Sequence, residues 1–280
     1  MKKKNYLTSA LLVGGLLAGS LTAGASVRTV KLNTSKPVGT EITLQVNRTY
    51  AGVTVDWGDG QVQSYKATEG DVLEIKGTVK GSFITISGND AWDMLSCANC
   101  GVEIIDLSNA KELRSLYLQN NNLVTVPLKG MSKLVDFDAS NNTLANLKFT
   151  QSNYPEKDLT SIENFNVSNN HLSGSFVIRA NTLRSLNVSN NELTAVYTSS
   201  NPSLDFLDVS NNKLTALSLA GNTKLSTIIC NDNNLTNIVW PAGITTVQQL
   251  ICDNNALSST INLANCSNLS DVSVANNAIK

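Results

Sequence analysis

Asp56 and Asp59, in the run Asp56-Trp57-Gly58-Asp59-Gly60, have the residue type for paired-carboxylate acid–base work or for an oxygen-bound calcium. Neither chemistry closes. Calcium takes roughly six to eight oxygen ligands, and no third polar group converges nearby in sequence. Two glycines and two aspartates are instead what a tight hairpin turn needs, supplying positive φ and side-chain capping. The expectation is a turn whose aspartates bond its own backbone. A second pair, Asp136 and Asp138, falls at i and i+2, on one side of a strand and roughly 6.5–7 Å apart at the backbone. That spacing is open to polysaccharide hydrolysis, but no aromatic platform accompanies it. Cys97 and Cys100 form a lone C-x-x-C. Zinc wants four ligands and no second pair follows. A thioredoxin-like βαβ context is missing, so a local disulfide or two packed thiols is expected. His171 is the single histidine, and no serine or cysteine has a plausible base partner. These residues predict a chain that is not an enzyme and has no cofactor or metal.

The elements that position these residues come from a repeat. The frame L-x-x-L-x-L-x-x-N-x-L, with key residues at positions 1, 4, 6, 9 and 11, fits eight times. The first copy is Leu113, Leu116, Leu118, Asn121, Leu123; the fifth is Leu204, Leu207, Val209, Asn212, Leu214. Successive copies start 21, 28, 21, 21, 21, 22 and 22 residues apart, the long interval marking an insertion around Gln151–Asp158. A short strand turns positions 4 and 6 inward. One unit cannot bury its own apolar face, and stacking makes the core continuous. Position 9 holds Asn121, Asn142, Asn170, Asn191, Asn212, Asn233, Asn255 and Asn277. An amide both donates and accepts, so this column is expected to be a structural asparagine ladder. A weaker half-unit (Leu214-Thr-Ala-Leu217-Ser-Leu219) follows each strand. Its spacing is extended rather than helical. A half-unit of this kind at 102–107 starts the array near residue 101. Cys230 and Cys252 occupy position 6 of neighbouring units, where valine is usual. They are expected to be small buried hydrophobes, although a bridge between adjacent strands is within reach; Cys266 lies on the return side.

With its N-N-x-L-T core (Asn190-Asn191-Glu192-Leu193-Thr194, Asn211-Asn212-Lys213-Leu214-Thr215), the array resembles the leucine-rich repeats of secreted and surface proteins of Bacteroidetes-type bacteria. The resemblance implies an extracellular or cell-surface protein, adhesive in some members. Residues 27–88 differ, with strand-like alternation in Glu41–Val46, Val53–Val55 and Ser82–Ile86. Their W-G-D-G turn resembles that of PKD-like β-sandwich modules. The expected fold class is mainly β: a leucine-rich-repeat solenoid preceded by a small β module. The division is a signal peptide at 1–25, the module at 26–90, and the array at 91–280 with an N-terminal cap at 91–100.

Positions 3, 5 and 7 of each unit point outward and make a sheet face roughly 34 Å long. Solenoids use such faces for binding. Phe206, Ile229 and Ile251 form an apolar strip on it, and Tyr117, Asp138, Asp208 and Gln249 are the other candidate ligand-face residues. The face carries aspartates and no lysine or arginine, which disfavours an anionic partner.

Composition and the amino terminus fix the address. Lys2-Lys3-Lys4, the apolar run 7–18 and Ala23-Gly24-Ala25 have the pattern of a cleaved signal peptide. Removing residues 1–25 takes away three lysines and no acid, leaving 18 basic and 22 acidic groups. That balance excludes a basic nucleic-acid binder. No membrane span follows the cleavage site. The favoured function is non-catalytic binding or adhesion to a protein or glycan at the cell exterior, by a secreted or cell-surface bacterial protein. The alternatives are a self-associating envelope protein and a polysaccharide-acting enzyme.

Overall fold

Apolar and polar residues alternate through 27–109, and the computed structural model of the chain turns that alternation into strands. It describes residues 27–47, 52–66, 72–89, 92–147 and 158–279. The signal-peptide reading and nearly all of the insertion around Gln151–Asp158 lie outside these. The chain divides into two compact units, Met1–Asn121 and Asn122–Lys280.

The first unit contains β1 (Val27–Thr34), β2 (Glu41–Val46), β3 (Val53–Asp56), β4 (Val62–Tyr65), β5 (Leu73–Thr78), β6 (Phe83–Asn89), β7 (Met94–Ser96), β8 (Val102–Asn109) and β9 (Ser115–Tyr117). One sheet runs β4-β3-β6-β1-β8; beside it β5-β2-β7-β9 are hydrogen-bonded in that order. Inward residues such as Val30, Leu32, Val55, Ile84 and Ile86 are fully or almost fully buried. The Asp56–Gly60 turn is held by its own aspartates, as expected. Asp56 Oδ1 accepts from the Gly58 and Gly60 N–H groups at 2.9 and 3.0 Å. Asp59 accepts from Gln61 N–H and pairs with Lys80 at 2.7 Å. Trp57 is buried, its indole N–H directed at Gln63 Oε1 and Tyr65 Oη.

The repeat begins earlier than the leucine frame reveals. Met94–Ser96 pairs parallel and in register with Ser115–Tyr117. That alignment puts Trp92, Leu95, Cys97 and Cys100 at positions 1, 4, 6 and 9, so residues 92–100, within the 91–100 stretch expected as a cap, carry a rung of their own. The C-x-x-C is therefore one buried core position plus the asparagine position. Where other rungs use an amide, the Cys100 thiol donates toward the carbonyls of Ala98 and of Thr43 on β2, both at 3.3 Å. β2 pairs antiparallel with β7, and β1 pairs antiparallel with β8, so the module covers both strands of this first rung. All five cysteines are free and buried.

Burial pushes the Cys97 thiol well above its ordinary range and the Cys100 thiol up to about 11. The fold keeps the neutral thiol. This contribution is complete below the unfolded value near 9 and is lost as pH rises through the folded one. For Cys100 the loss is about 1.4 kcal/mol per pH unit between the two values. Urea unfolding of the first unit is expected to shift steeply to lower midpoint between pH 9 and 11. A Cys100→Ala variant should have a shallower slope there.

The second unit repeats one short strand per rung, and four of its rungs add a second strand on the return. On one side β10 (Asp136–Asp138), β11 (Asn164–Asn166), β13 (Ser185–Asn187), β15 (Phe206–Asp208), β17 (Thr227–Ile229), β19 (Gln249–Ile251) and β20 (Asp271–Ser273) pair parallel in register. On the return side β12 (Ser173–Val177), β14 (Glu192–Tyr197), β16 (Ala216–Ser218) and β18 (Asn237–Val239) make a second parallel sheet. The return is thus extended, as its spacing predicts. Between the sheets, Phe137 stacks on Phe165 with centroids 5.0 Å apart, and Phe165 reaches Phe176 of the return side at 6.1 Å. Cys230 and Cys252 fill position 6, fully buried. The Cys230 thiol is pushed up first by its hydrogen bond with Cys252 and then by burial. No described helix is long and apolar enough to cross a membrane.

The asparagine pairs divide two tasks. The first of each pair turns the chain: Asn120, Asn141, Asn169, Asn190, Asn211, Asp232, Asn254 and Asn276 all have φ between 52° and 59°. Asn and Asp tolerate that left-handed region better than other residues with a Cβ. The second builds the ladder. Asn212 Oδ1 accepts from Leu193 N–H of the preceding rung at 3.0 Å. Its Nδ2 donates to the Val209 and Ser210 carbonyls of its own rung and to Val188 of the rung before, at 3.0–3.2 Å. Asn170, Asn191, Asn233, Asn255 and Asn277 repeat this pattern. In the first unit Asn121 serves Val102 N–H and the Cys97 and Leu118 carbonyls in the same way.

Candidate functional site: the strand face of the solenoid

Alternation within each three-residue strand decides the face. Position 4 is buried in β10 through β19, and its two neighbours are left half-buried or exposed. Register sets the columns. Position 5 reads Asp138, Asn166, Asn187, Asp208, Ile229, Ile251, Ser273 from β10 to β20; position 3 reads Asp136, Asn164, Ser185, Phe206, Thr227, Gln249, Asp271.

Most of the polar side chains on this face bond one another. At position 5, Asp138, Asn166, Asn187 and Asp208 each accept, through Oδ1, the N–H of the position-7 serine two residues on, at 2.8–3.1 Å. In three of these rungs the serine hydroxyl adds a second bond of 2.6–2.7 Å. The position-7 serines are thus partners in a bend, which explains their recurrence. Across rungs, Asn164 donates to Asp136 at 2.7 Å and Asn166 to Asp138 at 3.1 Å. The aspartates considered for hydrolysis are therefore engaged as hydrogen-bond acceptors within the sheet. Among the described residues no group of three or more His, Cys, Asp or Glu gathers as a metal site would require. His171 is exposed.

The bend motif stops after β15. Beyond it Ile229 and Ile251 sit side by side in adjacent strands at position 5. Phe206 stands one column over, at position 3 of β15, diagonal to Ile229. All three are half-buried and face outward. The structure thus brings together Phe206, Asp208, Ile229, Gln249 and Ile251. Asp138 lies three strands away on β10, and Tyr117 belongs to the first unit. Gln249 reaches Asp271 on β20 at 2.9 Å.

The rim of this patch holds residues that sequence reasoning did not single out. Asp232 accepts from the side chains of Asn231 and Asn254. Asp253 accepts the Ser273 hydroxyl at 2.7 Å and the Ala275 N–H at 2.6 Å. The available signal was the substitution of aspartate for the asparagine at position 8 and for the serine at position 7, in the same rungs where isoleucine replaces a polar residue at position 5.

No protein-family profile matches the chain, and no characterised protein matches it in sequence. Solved structures do. The functional domain of InlJ from Listeria monocytogenes, described as including a cysteine ladder, superposes with a TM-score of 0.58 at 24% identity over 71% of this chain and 43% of that one. YopM, a leucine-rich effector protein from Yersinia pestis, gives 0.55 at 27% identity over 66% and 49%. The leucine-rich repeat domain of APL1B gives 0.53 at 23% identity over 66% and 57%. The chain spans about half the length of these matched chains. The likeness establishes a leucine-rich-repeat-like β-solenoid.

Proposed function

We propose that this leucine-rich-repeat-like solenoid is an exported, non-catalytic binding protein whose β15–β19 face docks a protein or glycan at the cell exterior. In this reading the PKD-like module at 26–90 closes the first rung of the array at 91–280. The observation that carries it is the change in the position-5 column. From β10 to β15 its polar side chains close their own bends, and then Ile229 and Ile251, with Phe206 beside them, present apolar surface on the side facing solvent. Side chains that merely finish the fold follow the Asp/Asn rule of the earlier rungs. Contiguous outward apolar groups rimmed by polar ones mark contact surfaces. A neighbouring column already tolerates Ser185 and Thr227, so polar residues are compatible with this sheet.

Residues 26–280 immobilised on a glycan array and on a panel of purified extracellular proteins test the reading. The Phe206→Ser/Ile229→Ser/Ile251→Ser variant is expected to lose capture by about tenfold or more, as removal of a central apolar cluster does, while keeping its melting profile. Equal capture by the two proteins overturns the assignment of this face.

A further inference from the structure

We infer that the partner of this face is a basic polypeptide segment, one that sets aliphatic or aromatic side chains on Phe206, Ile229 and Ile251 and lysine or arginine side chains on the carboxylates around them; the inference rests on the binding reading above.

Charge complementarity points to it. Asp208, Asp232, Asp253 and Asp271 surround the patch, one from each of the four last rungs. Their hydrogen bonds come from neutral groups: Ser210, the Asn231 and Asn254 amides, Ser273 with the Ala275 N–H, and Gln249. Among the described residues none of the four is in an ion pair with a lysine or arginine. Of the cations nearby in sequence, Arg184 pairs with Glu163 at 3.5 Å and Lys213 with Glu192 at 2.7 Å, while Lys224 is exposed just before β17 and, among the described residues, forms no ion pair with the four aspartates. Four carboxylates around a low-dielectric apolar strip attract cations and repel anions, and such steering weakens with salt.

The shape of the strip points to a polypeptide. Ile229 and Ile251 are neighbours across two strands, about 4.8 Å apart along the array, with Phe206 on the diagonal. β-Branched side chains at that spacing suit packing against aliphatic or aromatic side chains. Sugars stack on flat aromatic platforms, and this face offers one phenyl ring.

The rungs themselves supply fold-neutral variants. Position 5 is asparagine in Asn166 and Asn187 and makes the same bond to serine there. Position 8 is asparagine in the rungs flanking Asp232, with the same φ. Asp208→Asn/Asp232→Asn/Asp271→Asn therefore removes three charges and leaves the architecture. The probe is a fluorescent twelve-residue peptide of alternating lysine and leucine, read by anisotropy against residues 26–280. Control probes replace lysine by glutamate or leucine by serine, and a chitosan hexamer stands for a cationic glycan. The lysine–leucine peptide is expected to bind. Its affinity should fall about tenfold between 50 and 300 mM salt and about tenfold in the triple variant. The Phe206→Ser/Ile229→Ser/Ile251→Ser variant should also lose it, and both control peptides should bind more weakly.

Binding of the peptide unchanged by the three Asp→Asn substitutions, or equal binding of the glutamate peptide, overturns the basic partner while leaving the face itself intact. Preference for the chitosan hexamer overturns the polypeptide. Peptide binding indifferent to the apolar triple variant as well overturns both this inference and the face it rests on.

Discussion

Asn212→Asp is expected to destabilise the second unit by about 3–5 kcal/mol at neutral pH. The two side chains have the same shape, so no cavity enters the comparison. In the native ladder Asn212 Nδ2 lies 3.0–3.2 Å from the carbonyls of Val188, Val209 and Ser210, and the residue is 8% exposed. Aspartate would present an oxygen to those three oxygens, with almost no water to screen it. Protonation restores one donor. The folded form of the variant therefore favours the neutral acid, and its carboxyl pKa rises above the unfolded value of about 3.9. Its deficit is smallest below that value and becomes complete as pH rises through the folded one. Urea melts at pH 4 and pH 7 measure this, with the gap to wild type narrowing in acid. Asn211→Asp is the internal control. The same atoms change one residue earlier, at an exposed position with φ 52° where a sister rung already has Asp232. It should cost under about 0.5 kcal/mol, as surface substitutions do.

Gly77→Ala should cost the first unit about 3 kcal/mol. A Cβ there would collide with the six-membered ring of the Trp57 indole. Trp57 cannot yield easily, since it is buried and its N–H is directed at Gln63 and Tyr65. Gly60→Ala makes the contrast. Its φ is +76° with open space around it, so the cost is the backbone term alone, about 1–2 kcal/mol. Urea midpoints of the two variants should rank in that order. Equal midpoints would mean that the close approach of Gly77 to the indole contributes nothing to packing.

The rungs were legible because leucine and asparagine recur at fixed offsets, and the position-9 amides lie where an inward side chain with both a donor and an acceptor is needed. The first rung was not legible. Its leucine columns hold Trp92 and Cys97 and its asparagine column holds Cys100, so a pattern keyed to Leu and Asn passes over it. Thr43 of β2 offers this rung the carbonyl that a preceding rung offers elsewhere, and a thiol serves there where an amide serves later. The leading asparagine of each pair was invisible to a hydrophobic period, since its role is backbone conformation. For Asp138 and Asp208, sequence shows which way a strand residue points but not that the N–H and hydroxyl of a serine two residues on bond one carboxylate oxygen. The apolar strip was readable by position, although Phe206 occupies a different column from Ile229 and Ile251.

Inside and outside on this array rest on adjacent residues pointing in opposite directions. Ile229 faces the solvent side of β17, and Cys230, the next residue, is fully buried. Native-state alkylation of an Ile229→Cys variant, resolved site by site by mass spectrometry, measures this directly. The new thiol is expected to react within minutes, while Cys230 and Cys252 stay unmodified until urea unfolds the second unit. Modification of Cys230 or Cys252 in the native protein at the rate of the introduced thiol would contradict the buried column, and with it the face on which binding is placed.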